Sequence, residues 1–186
     1  MLAAAPPDVS ALEERRTARL RLTRVRETDL PDLCRMHADP RVMEALGGAL
    51  DDAETRAQLR DFSAHWDRHG FGPWTLRDAG DGRFLGRGGL RRVAVGGREE
   101  VEILYALAAD AWGHGYATEL ARESARVAFD ELGLDSLVAF TLPQNQRSLG
   151  VMRRAGFRYE RHVEHAGLPH VLHRLRAPSA RPGGPT

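Results

Sequence analysis

The chain has 186 residues, enough for one ordinary domain with a sizeable core and too few for two comfortable ones. Its 27 basic residues are all arginine against 26 acidic ones, and a net charge of +1 is too even to draw a nucleic-acid backbone or an anionic membrane surface broadly. With no lysine, a pyridoxal Schiff base and the Gly-Lys-Ser/Thr phosphate loop of nucleotide hydrolases are both excluded. One cysteine, Cys34, forms no internal disulfide and has no zinc-type spacing, so a reducing compartment, by default the cytoplasm, is expected. No apolar run reaches the roughly 20 residues of a membrane span, and the start lacks the order of a signal peptide.

The Ala/Pro-rich opening, residues 1–17, reads as a disordered leader, and residues 177–186, dominated by Pro, Gly, Ser and Ala, as a disordered tail. Between them lies one domain, 18–176. Leu20, Leu22 and Val25 predict a first strand. Thr28-Asp29 with Pro31 opens a helix, and Asp39-Pro40 opens a short second one that Gly47-Gly48 stops. Asp51 starts a longer helix, with Leu59, Phe62 and Trp66 on one face and Gly70 placed to end it. Strands follow over Phe71–Arg77, Arg83–Val95 and Glu99–Leu107, separated by turn-forming glycines, as an antiparallel meander. A long helix from Thr118 to Leu132 ends at Gly133, and Leu137–Leu142 makes another strand. A short helix, Gln146–Arg154, precedes two late strands, Phe157–Val163 and Pro169–Arg176, around Ala166-Gly167. The order is mixed α/β.

The most telling segment is Val101 to Leu132, where a strand, a glycine-bearing turn and a helix follow in immediate succession. In Trp112-Gly113-His114-Gly115-Tyr116-Ala117-Thr118 the glycines let main-chain N–H groups approach a ligand just before a helix N-terminus. Unpaired amides and the helix dipole both favour negative charge there, so a pyrophosphate can sit over residues 113–118 without any lysine.

This strand and turn, together with Asn145-Gln146-Arg147-Ser148, Gly156-Phe157 and the early Leu20-Arg21-Leu22-Thr23, resemble the GNAT superfamily of acyl-CoA-dependent N-acyltransferases. The form is similar to its ribosomal-protein N-terminal acetyltransferase branch, where Trp at position 112 is usual. The resemblance implies a single-domain GNAT fold, α/β of the α+β kind, with a mixed, mostly antiparallel sheet of six to seven strands flanked by about four helices. It implies acetyl-CoA as acyl donor and an amine as acceptor; no metal is expected, since the histidine spacings offer no fourth ligand. It places the cofactor against Leu104, Tyr105, Ala106 and Leu107, against Trp112 to Thr118, and against Asn145 and Ser148. The Tyr105 and Tyr116 side chains are expected to pack, and Asn145 also reads as a helix cap. Arg147, Arg153 and Arg154 are within reach of a ribose phosphate but read by default as solvated. Branch members often pair, which makes a homodimer an expectation, although no exposed apolar stripe marks a seam.

Transfer to an amine needs a polarised thioester carbonyl, an uncharged nucleophile and a proton for the leaving thiolate. The resemblance puts an opened strand, with a bulge near Leu104–Ala106, at the carbonyl. Strand alternation makes Glu102 the candidate for the amine proton, on the face opposite Val101, Ile103 and Tyr105. A carboxylate near its reference pKa of about 4.3 is a feeble base for a lysine amine, but an α-amine near 7.7 to 8.0 asks less of it. Many superfamily members use a tyrosine late in the following helix as the acid. Met152 stands at that position and cannot donate a proton, which leaves Ser148 to hydrogen-bond or protonate the sulfur. Asp61, His65 and His69 share a helix face but read as solvated surface rather than a metal grip. His162, His165, His170 and His173 either line the acceptor mouth or titrate at the surface. The reading is acetyl transfer to a primary amine, on a protein N-terminus or a small molecule, by direct attack in a ternary complex. The alternative is a non-catalytic acyl-CoA sensor.

Overall fold

Among the described residues the strands form one sheet of eight; numbered in chain order they run 1-2-3-4-5-6-8-7 across it, antiparallel throughout except between the fifth and the sixth. The computed structural model describes residues 10–178. A turn of helix, α1 (Ser10–Glu13), leads into β1 (Glu14–Arg16) and β2 (Leu20–Arg24). Two short helices, α2 (Leu30–His37) and α3 (Pro40–Met43), precede the long α4 (Asp52–His69). The meander is β3 (Pro73–Asp78), β4 (Phe84–Val95) and β5 (Arg98–Leu107). Helix α5 (Tyr116–Arg126) runs into a wider turn of π geometry, Val127–Glu131, before β6 (Ser136–Thr141). Helix α6 (Gln146–Arg154) and the hairpin β7 (Arg158–His165) and β8 (Leu168–Arg176) finish the domain.

The punctuation residues act as their chemistry demands. Asp51 caps α4 by accepting the Glu54 amide at 2.8 Å while Glu54 reaches back to the Asp51 amide, and Gly70 closes the helix in the left-handed region. Leu59, Phe62 and Trp66 are buried on the inner face of α4 as their spacing requires. Fully buried Leu22, Trp74, Leu76, Leu85 and Leu90 belong to the same main core, each worth about 1.5–3 kcal/mol of transfer from water.

Residues 10–17 are a correction to the expected leader. Leu12 is buried and its carbonyl accepts the Trp74 indole N–H at 2.8 Å, while β1 pairs with β2. An indole buried in the core must find an acceptor, and the N-terminal segment supplies it. Residues 1–9 and 179–186, where the rest of the leader and most of the tail were expected, lie outside the described residues. Among the described residues no helix is long and apolar enough to cross a membrane.

Constant register in the β4–β5 pair sorts side chains to two faces. Gly88 lies opposite Tyr105, and a Cβ there would press to 2.6 Å from Leu120 of α5, so this face is covered by α5. Arg87 and Arg91, opposite Ala106 and Glu102, lie on the other face, where the Arg87 guanidinium stands over Phe62 of α4.

Candidate active site

The parallel strands β5 and β6 are in register at Glu102↔Val138 and at no later residue, so their edges come apart beyond it. The opening joins a cleft of about 1280 Å³ that reaches from the glycine turn to α4. The bulge expected near Leu104–Ala106 is absent: β5 stays in unbroken register with β4 from Gly86↔Leu107 to Val95↔Arg98. Departure of β6, not a kink in β5, frees the main-chain edge from Leu104 to Leu107. Leu104, Tyr105, Ala106 and Leu107 line the cleft along that edge.

At one end of the cleft the turn expected to grip an anion is braced from outside. Trp112 donates its indole N–H to the Leu107 carbonyl at 2.9 Å. Arg19 donates to the His114 carbonyl at 2.7 Å, pairs with Glu119, and stands over the Tyr116 ring. Thr17 and the Arg19 amide also bond Glu119, and Tyr116 donates to Asp78 at 3.0 Å. The chain entering β2, just before Leu20, thus clamps the first turn of α5. Gly115 caps that helix at φ 81, where a side chain would be strained, and no side chain caps it. Among the described residues the amides of Gly113, His114, Gly115, Tyr116 and Ala117 have no protein acceptor, and a Cβ at Gly113 would meet open space. A row of free amides at a helix N-terminus fits a diphosphate.

Along the α5 side of the opening the sulfur-binding candidates come together. Asn145 caps α6 by accepting the Ser148 amide at 3.1 Å, and its amide nitrogen donates to Thr141 at 3.0 Å. Its cap role is therefore filled, and it contributes to the cleft chiefly by setting Ser148. The Ser148 hydroxyl lies 2.8 Å from the Tyr105 hydroxyl. Burial pushes the Tyr105 phenol up to about 12, against the bond to Ser148, so it keeps its proton at neutral pH. Tyr105, expected only to pack, is thus wired to Ser148. Met152 is buried beside them. Arg147 lies 4.2 Å over the Trp112 ring and Arg154 donates to Thr118, so neither is a simply solvated charge.

On the other face of β5, Glu102 is buried, only 4% exposed. Arg91 donates to Glu102 Oε1 through Nε at 2.8 Å and again through Nη2, which leaves Oε2 for the cleft. Arg87, 5% exposed, borders the same space. Its Nε donates to His37 Nε2 at 3.3 Å, and His37 Nδ1 lies 3.2 Å from Thr55. An arginine nitrogen can only donate, so His37 is the neutral tautomer with its proton on Nδ1. Burial, helped by the charge of Arg87, pulls His37 down to about 4. The sequence signal for Arg87 was a charged residue inside Gly86-Arg87-Gly88-Gly89, mid-strand; for His37 there was none beyond its place in a short helix.

The histidine groups divide. His65 bonds the Phe71 carbonyl and accepts the Arg92 amide, so both nitrogens are spent on tying α4 to the sheet; neither a solvated nor a metal-gripping residue is found there. His165 and His170 flank Phe140 at the cleft mouth, whereas His162 bonds Tyr159 away from it. Cys34 packs against the core, with its thiol pushed up by burial and by Asp52, and is no part of the cleft lining.

A fold of this topology, with a free amide turn and a split sheet, defines an acyl-CoA transferase class, and sequence comparison agrees. The acetyltransferase (GNAT) domain model matches residues 19–158, and the chain belongs to that family. It is 30% identical over 157 residues to FsC-acetyl coenzyme A-N(2)-transacetylase of Aspergillus fumigatus, covering 80% of this chain and 65% of that protein. The crystal structure of an acetyltransferase from Agrobacterium tumefaciens superposes with a TM-score of 0.78 at 25% identity, covering 95% of this chain and 98% of that one. A ribosomal-protein α-N-acetyltransferase in complex with coenzyme A superposes at 0.70 with 18% identity, over 86% and 95% of the two chains.

Proposed function

We propose that this chain transfers an acetyl group from acetyl-CoA to a primary amine by direct attack in a ternary complex. The observation that carries the reading is the parting of β5 and β6 after Glu102↔Val138, which opens one passage between the free amides of the turn, the Tyr105–Ser148 pair and Glu102. The amides of Gly113 to Ala117 hold the diphosphate, and Trp112 and Arg147 flank it. Acetyl-CoA supplies the thioester carbon that the amine attacks. N–H groups along Leu104–Ala106 stabilise the developing oxyanion, one such donor being typically worth about 2.7–4 kcal/mol. Glu102 Oε2, directly or through water, takes the amine proton while Arg91 fixes the carboxylate. Ser148 donates a hydrogen bond to the departing thiolate while the Tyr105 phenol donates to Ser148; the thiolate takes a proton from solvent, to which Glu102 later returns the amine proton.

Nothing in this route uses a covalent acyl-enzyme, in keeping with a core-packed Cys34. The deciding experiment is free-thiol release from acetyl-CoA against peptides of varied N-terminus, polyamines and small amines. Amine-dependent release is the expected result. Tight coenzyme A binding with no release over the whole panel identifies a sensor module instead.

A further inference from the structure

The cleft holds one buried charge that the transfer chemistry leaves unexplained. Arg87 is almost fully enclosed, yet the groups it touches are neutral, His37 at Nε and the face of Phe62 below the guanidinium, and the charges that act on it from further off, Arg91 and Glu102, are paired with each other. Buried charges are otherwise paired, because desolvation without a counter-ion is costly. Neighbouring charges are committed. Arg91 is taken by Glu102 and Arg41 by Asp39. Among the described residues lining the cleft the carboxylates are Glu102 and Glu44, the second exposed at the rim, and neither forms an ion pair with Arg87. The His37–Thr55 pair anchors Nε and aims the rest of the guanidinium without cancelling its charge. Burial lowers Arg87 only to about 10, so it is cationic at neutral pH.

Position gives this charge a use. Arg87 lies directly opposite Ala106 in the β4–β5 ladder, on the α4 side of the strand whose free edge faces the thioester. One turn before Phe62 on α4, Gln58 lines the same cleft with a buried Oε1 that has no partner. A cation and an unpartnered amide oxygen, which can accept an N–H of the acetyl acceptor but not its carboxylate, thus line the cleft on the α4 side. We infer that Arg87 binds a carboxylate of the acceptor itself, so that the substrate class is a small amine carrying a free carboxylate, of amino-acid type, rather than a polyamine. The fork of Nη groups suits bidentate capture of such a group, and fixing it beside Ala106 delivers the amine to the β5 edge near Glu102. The inference rests on the proposed acetyl transfer for its direction, but not for the binding site.

Its test pairs amino acids of graded amine-to-carboxylate spacing with their carboxamides, in thiol release by the wild-type chain, Arg87→Met and Arg87→Gln. A second arm measures, by calorimetry on the protein saturated with coenzyme A, the binding of the corresponding N-acetyl amino acids and N-acetyl carboxamides. The expected result is at least one acid favoured over its amide by about 30-fold or more in kcat/KM. That preference falls to near unity in whichever variant retains the wild-type melting temperature and coenzyme A affinity. Equal use of acids and amides, or a preference that survives both variants, overturns the inference even if acetyl transfer stands. Arg87-dependent binding of N-acetyl acids without thiol release from any amine upholds it and overturns the transfer reading. Failure of both variants to fold leaves the wild-type ratio to decide, a ratio near unity being the refutation.

Discussion

In the proposed reaction the two faces of β5 work by different physics. On the α5 side the groups facing the cleft are main-chain amides and neutral hydroxyls: the turn from Gly113 to Ala117 and the Tyr105–Ser148 pair. On the α4 side they are charges, Arg87, Arg91 and Glu102, sunk beneath a helix. Amides at a helix start hold a diphosphate by geometry and dipole and cost little when empty. Buried charges are costly when empty, so they are retained where one particular group must be chosen. On the proposed reading, the comparison teaches that the common donor is held by backbone and the particular acceptor by side-chain charge.

The largest effect is expected where chemistry and positioning coincide. Ser148→Ala should lower kcat by about 10²–10⁴-fold if the hydroxyl stabilises the departing thiolate, with coenzyme A affinity within a few fold of wild type. Tyr105→Phe, which leaves Ser148 in place, should cost clearly less. Full kcat in Ser148→Ala, by stopped thiol assay, removes its role and leaves the α5 face a pure binding surface.

Next comes Glu102→Gln. It frees Arg91, adding a second unpaired cation beside Arg87 as it removes the base. A fall in kcat of about 10²-fold is expected, steepest for amines that are mostly protonated at the assay pH. Unchanged turnover across pH 6 to 9 would show Glu102 to be only the partner of Arg91.

A smaller effect is acid-linked stability. His37 is about 1% exposed and held near 4, below the ordinary 6.5. Between those values the unfolded chain takes up a proton that the folded chain refuses, so stability is present above pH 6.5 and is lost as pH falls toward 4. The loss is about 1.4 kcal/mol per pH unit at most for this group. Melting temperature should slope downward across that window and less steeply in His37→Gln. A slope unchanged by the substitution would put the acid sensitivity elsewhere, for example at His65, which burial also holds near 4. The smallest effect is Cys34→Ser, expected to leave acetyl transfer at wild-type rate because the thiol lies outside the cleft.

The same two faces differ in how legible they were in the residue string. The α5 face is written locally: strand, Trp112 to Thr118 turn, helix, then Asn145 and Ser148 three residues apart, each motif contained in one segment. Helix caps at Asp51 and Gly70 and the inner stripe of α4 were legible for the same reason. The α4 face depends on register. Arg91 meets Glu102 only because Gly96-Gly97 turns β4 back on β5, and Arg87 meets His37 only after a helix some fifty positions earlier docks on the sheet. Alternation put Glu102 on the correct face but says nothing of the cation across the strand pair. Tyr105 was read as packing because strand position predicts burial, not the hydroxyl of a helix formed later in the chain. Residues 10–17 were read as leader because Ala and Pro obscured Leu12, whose role is fixed by a Trp74 indole far along the sequence.

The central claim is that the amides of Gly113 to Ala117 grip a diphosphate. Calorimetry of acetyl-CoA against S-acetylpantetheine, which keeps the thioester arm and lacks the diphosphate, tests it most directly, using wild-type protein and Gly115→Val. The account predicts acetyl-CoA binding about 100-fold tighter or more in the wild type, and most of that advantage lost in Gly115→Val. Equal affinity for the two esters, or an advantage untouched by the substitution, would contradict it.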